Sequence, residues 1–233
     1  MPGKLICTFL ILCTLFACKK EEEESAGPPV ALGTPGSGVQ DLDGNKYSTV
    51  VIGNQEWMSE NLRSAHYANG DTIYSGINVE SVESEQSPSY FFYPDNDSSK
   101  NLSSYGRLYT YYAASDPRNV CPSGWRLPSK NDWEVLIEYL GGDENGGGKL
   151  KGTAGWNAPN AGADNLSGFN GLPAGFKEVD GAFDQFGRLA SWWTSTADTA
   201  NRIWTYYVKY SYPIVFEGPN EKKRALSVRC IRN

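Results

Sequence analysis

Short apolar and aromatic runs separated by tight polar breaks mark where the folded part of the chain begins. VQDLDGNKYSTVVIGNQEWMSENLR sets Asp43-Gly44-Asn45 and Gly53-Asn54 between stretches of valine, isoleucine and aromatic residues. Such breaks predict hairpin turns, and the run from Lys46 to Ile52 between them predicts a small antiparallel meander with Trp57 and Met58 on its last strand. From Asn69 to Tyr105 serine, aspartate and asparagine interrupt every period. Long irregular loops carrying a few aromatic residues are expected there, and such loops on a rigid scaffold are common places for recognition.

The pattern sharpens after Pro128. Ser129 stands at a helix N-cap position, Asp132 three residues on completes an S-x-x-D capping signature, and Trp133, Leu136, Ile137 and Leu140 follow at helical spacing. One amphipathic helix is predicted, stopped by Gly141 and Gly142. Its apolar stripe faces the core, while Asp132, Glu134 and Glu138 face water or the positive end of the helix dipole. The glycines at 146 to 148 lack the lysine and hydroxyl spacing of a phosphate loop and read as an ordinary loop. RALSVRCIR, residues 224–232, alternates Leu226, Val228 and Cys230 on one face, as a half-buried terminal strand should.

The N-terminal residues follow a different logic. MPGKLICTFLILCTLFAC puts Lys4 ahead of an apolar run, Leu5 to Ala17, too short to span a bilayer, which is the form of a secretory signal over residues 1–17. Leu15-Phe16-Ala17-Cys18 resembles the lipobox of bacterial lipoproteins, although Phe16 is bulkier than the residue usual there. That resemblance implies that Cys18 carries acyl chains such as palmitate, and two or three chains on one residue anchor a protein stably where one does not. The alternative is an apolar signal stretch cut by an ordinary signal peptidase. Residues 18–37 mix charge, proline and glycine with no apolar period, so a flexible lipidated stalk is expected, followed by one domain over 38–233. The acidic run Glu21 to Glu24 resembles the surface-export tag of lipoproteins in the Bacteroidetes group; a solvated linker would have the same letters. The expected location is the outer membrane, facing the cell surface, with membrane contact through the lipid alone.

Export places the chain where disulfides persist. Of five cysteines, Cys7 and Cys13 leave with the signal and Cys18 is taken by lipid, so Cys121 and Cys230 remain to pair. A reactive thiol pair is the alternative, but neither a nearby histidine nor a C-x-x-C spacing is present to lower a thiol pKa.

IGNQEWMSENL, GRLYTYYAA, CPSGWRLPSKNDWEVL, GGGKLKGTAGW, NLSGFNGLPAGF, WWTST and SVRCIRN occur in this order over roughly residues 38–233. This succession resembles the Fibrobacter succinogenes major paralogous domain (FISUMP), common in exported bacterial lipoproteins. GWRLPSKNDWE and SVRCIR are also similar to phrases of the formylglycine-generating enzyme and C-type lectin-like superfamily. The resemblance implies an α+β, C-type lectin-like fold: twisted antiparallel sheets, a few helices, one disulfide, and the two ends of the domain close together. Two activities of those relatives do not carry over. The copper-binding cysteine pair of the oxidases is used up in the bridge, and neither an E-P-N nor a W-N-D triplet of the calcium-dependent lectins occurs, only Trp156-Asn157 and Gly218-Pro219-Asn220.

Little catalytic material remains. The single histidine, His66, rules out histidine-rich metal sites, and a satisfied surface histidine is its expected role. A pair of carboxylates for glycoside hydrolysis is not certified by any spacing. The net charge of -6 argues against nucleic acid. Seven tryptophans and fourteen tyrosines stand out instead. Trp156, Asn157, Trp192, Trp193 and Trp204 are candidates for ligand binding, since rings stack on sugars and anchor protein interfaces; buried core tryptophans are the competing reading. Asn157, Asn160, Asp164 and Asn165 are weak candidates for a calcium ion, against ordinary asparagine-rich turns. No other cofactor and no catalytic constellation is expected. The sequence thus predicts a noncatalytic recognition domain for an extracellular glycan or an envelope or host protein; a structural or assembly subunit of the envelope is the second reading and a glycan-active enzyme the third.

Overall fold

A computed structural model describes Gly3 and residues 30–82 and 89–233. Apart from Gly3, the signal expected over 1–17 with Cys7 and Cys13, the lipid site expected at Cys18 and the stalk as far as residue 29 lie outside the described residues. No helix among the described residues is long and apolar enough to cross a membrane. The folded part begins before the boundary at 38 expected from composition. β1 (Gly33–Pro35) pairs antiparallel with Val50–Ile52, and Leu32 N donates to Leu166 O. A segment so rich in glycine and proline is ordered by backbone pairing with a strand already in place, which composition does not record.

β2 (Val39–Gln40) and β3 (Lys46–Tyr47) form a ribbon around Gly44, and β4 (Thr49–Ile52) and β5 (Gln55–Met58) a hairpin around Gly53-Asn54. Both turns stand where expected, but the hairpins enter separate sheets instead of one meander. The ribbon closes on Asp41, whose carboxylate accepts from Asn45 N, Asn45 Nδ2 and Tyr47 Oη.

The stretch expected as loops carries β6 (Tyr74–Ser75), β7 (Tyr90–Phe92) and α1 (Ser98–Tyr105). α1 buries little and has no apolar stripe. Its start is fixed by Asp97, whose Oδ1 accepts from Ser99 N and Lys100 N, and by Asn101 Nδ2 donating to Pro94 O.

β8 (Leu108–Thr110) and the single-turn α2 (Tyr111–Ala114) lead to β9 (Trp125–Arg126) and α3 (Lys130–Tyr139). α3 is the helix the capping signature predicts: Asp132 N donates to Ser129 Oγ and Ser129 N to Asp132 Oδ2, a complete capping box. Asp132 is buried and does more than cap, for Arg126 grips both its oxygens at 2.6 and 2.9 Å.

α4 (Asp143–Leu150) corrects the loop expected at 146–148. Three glycines in a helix cost roughly 1 kcal/mol each relative to alanine. Here they permit close approach: a Cβ on Gly147 would lie 2.3 Å from Ile214 O, and one on Gly148 2.1 Å from Gly162 O. Lys149 then reaches back from α4 to the last turn of α3, donating to Leu140 O at 2.6 Å.

The chain continues through β10 (Phe176–Lys177), β11 (Phe183–Asp184) and three long strands, β12 (Leu189–Ala197), β13 (Arg202–Lys209) and β14 (Val215–Glu221), to β15 (Ala225–Ser227) and β16 (Ile231–Arg232). A nine-stranded sheet runs β14-β13-β12-β15-β8-β7-β6 with β10 and β11 attached at β15; a five-stranded sheet runs β1-β4-β5-β16-β9. Pairing is antiparallel except at β12–β15 and β6–β7. The fold is therefore mixed α+β, mostly antiparallel sheet with few helices. RALSVRCIR is not one half-buried strand: it passes from the large sheet to the small one, and residues 225–231 are buried on both sides.

The two ends of the domain meet in the five-stranded sheet. Glu56 joins them, accepting from Ser37 N and Oγ, from Thr49 Oγ1 and, at 2.7 Å, from Arg232 Nη1. Burial pushes its carboxyl up, but these donors outweigh it and bring the pKa from 4.5 down to about 2. A depressed carboxyl contributes stability that is full above pH 4.5 and lost as pH falls toward 2. After screening by nearby water we expect about 1–2 kcal/mol from it. Urea midpoints at pH 5 and pH 2.5 should therefore differ less in Glu56→Gln than in the wild type; an equal acid loss in both would refute the assignment.

Candidate functional site

Cys121 and Cys230 form a disulfide, both sulfurs buried in the core beside Tyr109, Trp193 and Val228. The thiol-pair alternative is thereby removed.

Trp192 and Trp193, expected as ligand candidates, are core residues. Both are 0 % exposed; Trp192 Nε1 donates to Asn61 Oδ1 at 2.9 Å and Trp193 Nε1 to Tyr109 O at 2.7 Å. Neighbours on one strand, they point to opposite faces of β12 and fill separate cores: Trp192 packs with Trp133 and Phe169, and Trp193 with Tyr111. With no free face or N–H, neither has anything to offer a ligand.

The other candidates do not converge. Trp156 is half-buried, its Nε1 tied to Gly171 O, on the loop after α4. Asn157 is exposed beside it, its backbone N held by Gly187 O. Trp204 lies under the Lys130 ammonium, 4.7 Å from its ring centre, on the side of β13 that faces α3. The calcium candidates serve their own turns: Asp164 Oδ1 accepts from Leu166 N, Asn165 Oδ1 from Asn170 N, and Asn160 Nδ2 donates to Gly152 O. Among the described residues Asn160 Oδ1 is left without a hydrogen-bond partner, and no group of three or more acidic, histidine or cysteine residues could hold a metal.

Carboxylates gather beside α3, where Glu134 and Glu217 both pair with Lys130, at 3.0 and 2.9 Å. Each is engaged with the ammonium that lies between them. His66 rests its Nδ1 on the Asp43 carboxylate, while the neighbouring Ser64 hydroxyl donates to the His66 carbonyl rather than to its ring. No serine–histidine relay is formed.

A ligand surface emerges on the other face of the large sheet. The pleat sends Tyr206, Val208 and Val215 toward α3 and α4, which leaves Tyr207, Lys209 and Phe216 facing away from the helices. There the Tyr207 and Phe216 rings stack across β13 and β14, centroids 5.2 Å apart and planes within 7°. Tyr212, half exposed, meets the edge of Phe216, and Lys209 Nζ sits 5.5 Å from the Tyr207 centroid and 5.0 Å from that of Phe216. Beside this platform runs a groove of about 270 Å³, walled by Phe176, Leu189, Asn220 and Arg224 and floored by Ser191. Arg224 is locked by Glu178 and Asn220, and Asn220 donates to Thr205 Oγ1, so the polar wall is preorganised. Ser191 is 3 % exposed, and its Oγ, shielded from solvent, has no hydrogen-bond partner among the described residues.

The platform is supported from behind by a buried cation. Lys151, 0 % exposed, donates to the carbonyls of Ala161, Lys209 and Tyr212 at 2.7, 3.1 and 2.9 Å, pinning the β13–β14 turn. Burial pushes its pKa down to about 8, so at neutral pH it is still charged and holds all three. None of these groove residues was singled out from the sequence. The alternation in WTYYVKY does place Tyr207 and Lys209 on one face and Tyr206 and Val208 on the other, but the partner Phe216 depends on a strand register that no local pattern reveals.

Neither a curated protein nor a solved structure matches the chain. A family model described as the Fibrobacter succinogenes major domain matches residues 50–232, a span that takes in the disulfide, Lys151 and every residue of the platform and groove. By that match over most of its length, the chain belongs to the Fibrobacter succinogenes major domain family.

Proposed function

We propose that this is a noncatalytic recognition domain of C-type lectin-like fold, displayed on the bacterial outer surface by acyl chains on Cys18, and that its ligand is an extracellular glycan held in the groove of the large sheet. The lectin-like reading is supported by helices set beside mostly antiparallel sheets and by domain ends that meet in one sheet. The single observation that carries the ligand reading is the Tyr207–Phe216 stack beside a groove whose polar wall, Asn220 and Arg224, is preorganised. Aromatic faces attract the apolar faces of sugar rings, and amide and guanidinium groups fixed in a groove wall meet sugar hydroxyls without first being ordered. The lipidated and exported parts of the proposal rest on the Cys18 neighbourhood in the sequence.

The test is retention of the purified full chain on an array of glycans and envelope proteins. Retention on specific glycans, reduced about tenfold by Tyr207→Ala and unchanged by Tyr139→Ala on the far side of the fold, is expected; a tenfold loss is what one stacked ring of about 1.4 kcal/mol would give. Silence on glycans with capture of a single envelope protein would favour the assembly-subunit reading, and equal retention by Tyr207→Ala would remove the groove. Fatty-acid labelling of the wild type but not of Cys18→Ala checks the anchor.

A further inference from the structure

The protein is acidic, with a net charge of -6, yet the surroundings of the groove are not. Lys209 stands at the height of the stacked rings, and none of the ion pairs among the described residues includes it. At the end of the β13–β14 pair, where Arg202 meets Glu221, lies a second, open cleft of about 600 Å³ lined, among the described residues, by Arg202, Lys222 and Glu221 with Tyr112, Val179 and Asn201. The two are continuous along the chain: β14 gives Asn220 to the groove and Glu221 to the cleft, and the β10–β11 hairpin gives Phe176 to the first and Val179 to the second. Arg224 is neutralised by Glu178, so it shapes the wall and offers no net charge.

Fields from the rest of an acidic surface fade over about 8–10 Å at physiological salt, so a local band of cations decides what is captured at close range. A neutral sugar would use the platform and the polar wall but leave Lys209 without a role. A ring that bears a carboxylate on its edge uses all of them.

We infer, on the basis of the recognition reading above, that the groove takes a carboxylate-bearing glycan of uronate type. One sugar ring lies on Tyr207 and Phe216, its hydroxyls face the Asn220 and Arg224 wall, the carboxylate turns to Lys209, and the polymer continues toward Arg202 and Lys222.

The full chain is titrated with polygalacturonate, alginate and hyaluronate, and with dextran and laminarin as neutral polymers, at low and high salt. At least one acidic polymer is expected to bind tenfold or more tighter than the neutral ones, with the advantage lost at high salt. Lys209→Met, checked for an unchanged melting temperature, should weaken acidic binding about tenfold and leave neutral binding as it was. Equal binding of both classes, or an unchanged Lys209→Met, overturns the acidic ligand while the recognition reading stands. Binding to neither class overturns both.

Discussion

Replacing Cys121 and Cys230 together by alanine is expected to lower the unfolding free energy by about 4–5 kcal/mol. The bridge joins residues 109 apart in sequence, and a closed loop of that size removes this much freedom from the unfolded chain in the chain-entropy model. The native side adds to the loss. Both sulfurs are fully buried where the segment entering β9 meets the crossover from β15 to β16, and Cys230 O accepts from Met58 N. Cutting the bridge frees the strand that holds the small sheet together, since β16 lies between β5 and β9. Against a typical domain stability of about 5–15 kcal/mol the loss is a large fraction. Urea unfolding of the double variant beside the oxidised wild type measures it, and a difference under about 1 kcal/mol would show that the packing around the sulfurs, not the bond, fixes this corner.

The elements that could be read from the sequence are those whose causes are local. α3 announces itself because Ser129, Asp132 and the following stripe lie within a few residues of one another, and the β4–β5 turn because Gly53-Asn54 itself forms the loop. The disulfide was legible by elimination. What escaped depends on distant neighbours. Gly147 and Gly148 of α4 answer to Ile214 and Gly162, which press where a side chain would stand, and β1 exists because β4 offers it an edge. Trp192 and Trp193 looked like ligand residues because a single sequence does not reveal that both sides of their strand are covered. The groove escaped for the converse reason: Tyr207, Phe216, Ser191 and Asn220 become neighbours only through strand register.

Buried cations were equally invisible, and one of them yields the other large effect. Arg229→Ala is expected to cost about 3–4 kcal/mol. The guanidinium is 1 % exposed and pairs with no carboxylate among the described residues. It is held by neutral acceptors: Nε and Nη2 donate to Asn61 Oδ1, and Nη1 donates to Met58 O at 3.1 Å and Phe169 O at 2.5 Å. Its Cζ lies 4.3 Å from the Phe169 ring centre. Burial pulls its pKa down to about 9, so it remains charged at neutral pH, and the cost of burying that charge has to be offset by its acceptors. Two opposed effects then decide the outcome of removal. Losing the charge relieves desolvation, whereas the carbonyls of Met58 and Phe169 lose their side-chain donor at roughly 1–3 kcal/mol for each one left unsatisfied, and alanine adds a cavity beside Phe169 and Trp192. Arg229→Met separates the two, since it fills the space without donors. If the hydrogen bonds dominate, as their number and shortness imply, methionine still costs about 2 kcal/mol in urea unfolding. A methionine variant more stable than the wild type would mean that desolvation wins, and that Arg229 is kept for the position it imposes on Asn61 and, through it, on the indole of Trp192.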